Sequence, residues 1–477
     1  MRGLSNAGAI LAIALCMAAC AVGPDYRVPT PPTGAAGPLV SVNPAAETPA
    51  APPDDWWRLY SDPLLDHYVS EAFAANTDLA AAEANLSGAR AVLEASRAGQ
   101  YPSTTALAGA VYGRDATTDE ILEIGGHRPV TIWTFDTLLD VSYEFDLFGR
   151  VRRSIEAAHA DAEAAAAARD GLEITVAAET ARAYAQVCTL GEQIAVAKRA
   201  LAVVGRESDI TTNRRKAGAG SEFEEVRAQA LVAQVRATIP PLEGQRRAAL
   251  FQLGALLGRT PANAPMEAQA CVTPPALTSL IPVGDGAALL KRRPDVRLAD
   301  RRVAAATARI GVATADLYPR ITLTGLYGGV GSDLSDLTAE RGLTWGVGPT
   351  ISWAFPNQSL PRARLRQAKA GERAAVASFD SAVLQALKET EQSLAAYGAE
   401  LDHHQALAEA QAKAGRAYEL AHGQFLAGAS SQLDLLTAEQ SLVSADAALA
   451  ASDTAVTQDQ IAVFKALGGG WATKASR

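Results

Sequence analysis

The sequence predicts a mainly helical protein that carries a membrane β-barrel and is organised as a tandem structural repeat. Three observations carry that expectation. The chain matches itself: Asn76-Thr77-Asp78-Leu79 through Gln100-Tyr101-Pro102 returns as Arg293-Pro294-Asp295-Val296 through Leu317-Tyr318-Pro319, a shift of 217 residues, and Ala217-Gly218-Ala219-Gly220-Ser221 returns as Ala427-Gly428-Ala429-Ser430-Ser431, a shift of 210. Each copy holds one helical stretch too long for a compact domain. Segments on both sides of that duplication alternate apolar and polar residues over about ten positions, the length of a tilted membrane strand.

Composition fits a folded protein of unusual texture. Of 477 residues, 48% are hydrophobic and 20% charged, which sets aside disordered, collagen-like and disulfide-scaffold classes, but only 6% are aromatic, and alanine supplies much of the apolar content. The formal net charge of −9 leaves no basic footprint for nucleic acid.

At the N-terminus, Ala9 to Ala19 form a short apolar run after Arg2, too short to span a bilayer and ending in small residues. It reads as a secretory signal, and Met17-Ala18-Ala19-Cys20 resembles a lipobox, so Cys20 is the expected first residue of the mature chain and the expected site of lipidation. Ala21 follows, and in the lipoprotein families that this region resembles, only an Asp there retains the chain at the inner membrane, so outer-membrane lipid is the expected partner. From Val22 to about Pro53 the chain is rich in Pro, Ala, Gly and Thr, which predicts an extended, poorly packed tether.

Each copy then predicts the order helix, two strands, very long helix, tight tip, helix. The first helices start near Asp78 and Pro294 and stop before Tyr101-Pro102 and Tyr318-Pro319, because the residue before proline disfavours helix. From about Gly149 to Lys216 apolar residues recur every three or four positions (Val176, Ala183, Val187, Leu190, Ile194), and Val376, Phe379, Val383, Leu394 and Tyr397 repeat the pattern in copy two. A helix of that length runs roughly 100 Å. The shorter helices of a copy, stacked end to end, nearly match it.

The strand segments are Leu139 to Phe145, Trp345 to Phe355, Ile321 to Tyr327 and, more weakly, Ser103 to Gly113, with the aromatics Tyr143, Phe145, Tyr327, Trp345, Trp353 and Phe355 on the face expected to meet lipid. Four strands cannot close a barrel, and open edges in lipid leave unpaired backbone groups, so the protomer must associate. Two copies give eight strands and a filled barrel; three give twelve and an open lumen. The expected domains are a signal peptide over 1–19, a lipidated extended segment over 20–62, one repeat over 63–275, a second over 276–470 and a tail over 471–477.

Cys188 and Cys271 remain after the signal region, and in an exported chain they form a possible disulfide that would pin a helix to the connector between repeats. No GxxxxGK[ST] loop is present, so no ATP chemistry is expected. His403-His404 lack Cys or acidic neighbours at metal-ligand spacing and read as a solvated helix face. Arg292-Arg293-Pro294-Asp295 reads as the start of a helix. Neither an enzyme nor a metal or other cofactor is expected beyond the covalent lipid.

These residues resemble the TolC superfamily of outer-membrane efflux proteins, in its NodT-like lipoprotein branch that serves resistance-nodulation-division pumps. The most specific pieces are CAVGPDYRVP from Cys20, DWWRLYSDPLLD from Asp55, LLKRRPDVRLADRRVAAATARIGVATADLYPRITLTG from Leu289, and the two tips. The resemblance implies a homotrimer with a 12-stranded barrel in the outer membrane on a long periplasmic α-helical barrel. It also implies a periplasmic adaptor protein and an inner-membrane pump as partners, and passive export of small molecules. A type I protein-secretion conduit of the same superfamily and a trimeric coiled-coil surface protein stay open as alternatives.

The tips are where mechanism is expected. Gly218 and Gly428 suit the left-handed turn that ends a helix, and Ser221 and Ser431 suit the N-cap of the returning one. The resemblance implies that these tips contact the adaptor and that Asp434, with its repeat equivalent Glu224, lines a closed aperture. In a trimer each would form a ring of three carboxylates. Thr437 stands where some relatives carry a second acid.

Overall fold

A computed structural model of the chain describes residues 21–114, 124–126, 128, 130–277 and 279–469. The signal peptide, Cys20 and the tail 471–477 lie outside the described residues. The N-terminal part contributes β1 (Glu47–Thr48) and α1 (Pro63–Ala75). Copy one follows as α2 (Thr77–Ala98), β2 (Ser103–Gly113), β3 (Ile132–Phe145), α3 (Arg150–Lys216) and α4 (Glu222–Leu256). The connector holds β4 (Ile281–Pro282) and α5 (Gly286–Arg292), and copy two repeats the order as α6 (Pro294–Ala315), β5 (Arg320–Gly331), β6 (Leu343–Ser352), α7 (Ser359–Leu426) and α8 (Gln432–Ala466). The chain divides into two compact units, one of residues up to Pro29, Leu86–Ala165 and Ala299–Phe379, the other of Thr30–Asn85, Ala166–Leu298 and the residues from Asp380.

The first unit is built on one antiparallel sheet of order β2-β3-β5-β6. Its register sorts the side chains by face. Ala106, Leu139, Tyr327 and Trp345 stand in one row, and Thr104, Val141, Gly325 and Val347 in another, on a face without a charged residue. Asp140, Ser142, Glu144, Thr322, Thr324 and Thr350 occupy the opposite face. On the apolar face Trp345 is 69% exposed and Val347 70% exposed, a patch that water alone does not accommodate.

Three strand boundaries differ from expectation by three residues or more, one of them the end of β5, which runs on to Gly331, four residues past the expected Tyr327. β3 begins at Ile132, seven residues before the expected Leu139; Asp136-Thr137 breaks the apolar row that alternation relies on. β6 ends at Ser352, so Trp353 and Phe355 lie outside it. The ladder stops there because β5 starts at Arg320, just after Pro319, and Arg320 pairs with Ser352; the Trp353 indole instead donates to the Leu317 carbonyl at 3.1 Å.

The loop after β3 starts the long helix. Asp146 accepts from the Val151 and Arg152 amides, both at 2.9 Å, capping the first turn of α3. Gly149 turns the chain with φ of 78°, and a Cβ there would meet Ala21 at 2.6 Å. The Val22 amide donates to the Phe148 carbonyl at 3.1 Å, and Arg153 holds Asp25 at 2.7 Å.

The second unit contains the larger core. Trp56, Tyr68 and Phe464 are fully buried, with the Trp56 and Phe464 rings stacked 4.8 Å apart. The expected tether is therefore extended but not loose. The Val40 and Ser41 amides each donate to Glu391 at 2.8 Å, β1 pairs in parallel with β4, and Trp56–Tyr60 forms a buried helical turn. Proline-rich composition specifies extended backbone; long-range hydrogen bonds decide whether it is held.

Within this unit the shorter helices meet end to end. Asn76, between α1 and α2, accepts from the Asp78 and Leu79 amides at 3.0 and 3.1 Å, capping α2, while its amide donates to the carbonyl of Leu256, the last residue of α4, at 3.1 Å. Its repeat equivalent, Arg293, does the same work between α5 and α6. The Arg293 guanidinium donates to the carbonyl of Ala466, the last residue of α8, at 2.8 Å, and holds Asp295 and Glu389 at 2.6 and 2.7 Å. One side chain thus finishes one helix and steadies the start of another. Cys188 of α3 is disulfide-bonded to Cys271 in the connector, across a sequence separation of 83 and a Cα–Cα distance of 4.7 Å.

Candidate gate at the helical tips

Both tips are built alike. At the first, Gly218 has φ of 75°, its amide donates to the Arg215 carbonyl at 2.9 Å, and the Ala219 amide donates to Arg214 at 2.9 Å. At the second, Gly428 has φ of 70°, with Gly428 to Phe425 at 3.0 Å and Ala429 to Gln424 at 2.8 Å. These paired bonds close the last carbonyls of a helix, and only glycine adopts the turn without strain.

The serines open the returning helices. Ser221 Oγ accepts from the Glu224 amide at 3.2 Å while Glu224 accepts from the Ser221 amide at 2.8 Å; Ser431 and Asp434 do likewise at 3.2 and 3.1 Å. Each pair is a capping box. The two acids expected at an aperture are therefore first engaged in folding the tip. Asp434 is exposed, and the hydroxyl and amide of Ser431 hold its carboxyl below the usual carboxylate range. It is ionised at neutral pH. Glu224 is half-buried, and neither acid hydrogen-bonds the other. Phe223 is 72% exposed, Leu426 68% and Leu433 50%, so each tip presents apolar surface beside its acid.

Above the tips the structure assembles a group that the sequence reading passed over. Glu439 of α8 is buried, and neither of its carboxylate oxygens has a hydrogen-bond partner. Burial, with the Glu207 charge on α3 second, pushes its carboxyl up to about 7. Glu207 is buried too, with His422 Nδ1 of α7 at 3.3 Å. Nearby, Gln432 donates to the Thr211 hydroxyl at 2.5 Å. The sequence pattern alone is ambiguous here: Glu439 sits three and four residues after the buried Leu436 and Leu435, on the apolar seam of its helix, where an acid either turns out to water or is sealed in.

The remaining singled-out residues find ordinary partners. His403 lies 3.2 Å from Glu400 and His404 2.7 Å from Asp453. Among the described residues no three His, Cys, Asp or Glu side chains are placed to hold a metal ion. Nor, among those residues, is any helix long and apolar enough to cross a membrane.

Against this geometry, the sequence matches the outer membrane efflux protein family over residues 68–259 and again over 287–469. Among curated proteins it is 29% identical to the pyoverdine export outer membrane protein OpmQ of Pseudomonas putida, covering 97% of each chain, and 30% identical to outer membrane protein OprJ of Pseudomonas aeruginosa, covering 97% of this chain and 95% of that one. Among solved structures, the outer-membrane channel OprN is similar with a TM-score of 0.87 at 34% identity, covering 95% of this chain and 100% of that one.

Proposed function

The chain belongs to the outer membrane efflux protein family, and from that premise we propose that it is a passive trimeric conduit, the outer-membrane component of a tripartite efflux pump that carries small molecules from an inner-membrane pump to the outside. The observation that carries this reading is the four-stranded sheet, with one uncharged face, one polar face and two unpaired edges, β2 and β6. Unpaired backbone in lipid costs several kcal/mol per group, so these edges need the edges of other copies. Three copies close twelve strands around a lumen.

The helices support the same assembly. In the first unit, Ala160 of α3 packs on Ala304 and Ala305 of α6, flanked by Glu163 with Arg301 at 3.1 Å and Asp161 with Arg309 at 2.5 Å. The repeat equivalents of those alanines are Ala370 on α7 and Ser87 and Gly88 on α2, and all three are exposed in the protomer. A Cβ on Gly88 or on Gly371 would meet nothing within 4 Å. A face that is buried in one pair and bare in its duplicate is met by a second copy: α7 of one protomer covers α2 of the next.

The exposed tips, with Gly218, Ser221, Gly428 and Ser431 fixing their shape, are the surface for a periplasmic adaptor, and the acids Glu224 and Asp434 narrow the aperture there. Opening is a shift between packed states of the helix pairs rather than catalysis. Lipidation at Cys20 fits the position of Ala21, held against Gly149 just after β3, where acyl chains would enter the same bilayer as the sheet.

Planar-bilayer recordings test the conduit. The purified protein is expected to pass ions, and a silent protein would remove the reading. Ser87→Cys with Ala370→Cys is expected to give a covalent trimer under oxidation, with neither single variant doing so; conductance without that cross-link would keep the channel and discard this seam.

A further inference from the structure

Glu439 is a carboxyl with nothing to bind it. At 1% exposure it is shut off from bulk solvent, and neither oxygen has a hydrogen-bond partner, an arrangement that only a neutral carboxyl sustains cheaply. The groups around it come from each helix packed there. From α3 come Glu207, 7% exposed, and Arg206; from α7 come His422 and Tyr418, their rings 5.8 Å apart. Glu207 and Glu439 both act on Tyr418, as does Arg206, and His422 approaches Glu207 rather than Glu439. The acid of α4 at this level, Glu225, is already held by Arg215, Thr212 and Gln229. Among the described residues no cation is thus placed on Glu439, and the charge that raises its proton affinity is that of Glu207.

We propose that Glu439 is a proton-operated latch: protonated, it lets the α7–α8 hairpin pack against α3, and ionised, it opposes the buried charge of Glu207 and releases the hairpin. The hairpin in question carries the second tip, eight residues before Glu439 on α8 and five after His422 on α7. The sign follows from the raised proton affinity. The packed form binds the proton up to about pH 7 and the separated form only to about pH 4.5, so within that window each unit rise in pH shifts the packed-to-open ratio by about tenfold toward open. Above it the effect is complete. Asp434, whose carboxyl is held low, contributes nothing to this window.

The readout by conductance rests on the conduit reading; the latch itself is also read by distance. Spin labels at Ala219→Cys and Ala429→Cys, both exposed tip positions, report tip separation in the full-length protein between about pH 5 and about pH 8. The tips are expected to move apart, and conductance to rise, as pH increases, while Glu439→Gln, neutral at every pH and of the same shape, stays packed throughout. Glu207→Gln, which removes the opposing charge, is expected to shift the midpoint to higher pH, because Glu439 then ionises at less cost to the packed state and opening requires a more alkaline medium. Glu439→Gln that follows the unmodified protein's pH profile overturns the latch. Tip movement abolished by Glu439→Gln but without conductance in any variant supports the latch and removes the conduit.

Discussion

Replacing Asn76 with alanine breaks the joint between α4 and α2 from both sides. The side chain is nearly inaccessible, so its lost bonds are not returned by water. Losing the cap on the Asp78 and Leu79 amides costs about 1 kcal/mol. Leaving the Leu256 carbonyl without its donor adds about 1 to 2 kcal/mol. The sum, about 2 to 3 kcal/mol, corresponds to roughly 30- to 150-fold faster exchange of the first-turn amides of α2 if they exchange by local opening. Hydrogen–deuterium exchange over Thr77 to Ala82 measures this directly. Asn76→Asp separates the two contributions: its carboxylate still caps α2 but faces the Leu256 carbonyl with no proton to give, so about half of the effect is expected. Unchanged exchange in Asn76→Ala, or an equal change at the Gly218 tip, would refute the joint as the place where the two rods are spliced.

Three further outcomes are expected. Replacing Cys188 and Cys271 by serine frees a loop whose ends are 83 residues apart and is expected to lower stability by up to about 4.5 kcal/mol on chain-entropy grounds, seen as a lower denaturant midpoint that reducing agent no longer changes. Val347→Arg, on the uncharged face of the sheet, is expected to cost about 2 to 4 kcal/mol of folding in lipid while Thr350→Arg, on the other face, costs little; equal effects in a membrane-folding titration would contradict the assignment of faces. Asp434→Ala removes the N3 partner of a capping box together with the charge proposed to line the aperture, so single-channel conductance is expected to rise; an unchanged conductance removes Asp434 from the proposed gate.

Duplication made much of this molecule readable in its sequence. A 210-residue shift locates both tips at once; Gly218 and Gly428 make the turns because few other residues adopt a positive φ, and Ser221 and Ser431 make the caps because their hydroxyls accept from the N3 amides. Alternation found the sheet but misplaced three of its limits; Trp353, for one, looks like a strand residue and is excluded only by where its neighbour, β5, begins. The segment before Trp56 was legible as extended and illegible as bound, because its partners, Glu391 and β4, lie more than 200 residues away. Glu439 was hidden for a different reason. A lone acid on an apolar stripe has the same composition whether it turns to water or is sealed in, and only packing tells the two apart.

The Cys188–Cys271 bridge has a mechanical consequence. It closes a covalent ring around α4 and the whole first tip, whereas the residue equivalent to Cys188 in copy two is Gly398, and the α7–α8 hairpin carries no such rivet. In a threefold assembly the six arms around the aperture would therefore alternate between riveted and free. Such an iris would dilate by swinging every second blade while its neighbours keep their footing, so that its bore would grow as a triangle before it grew as a circle.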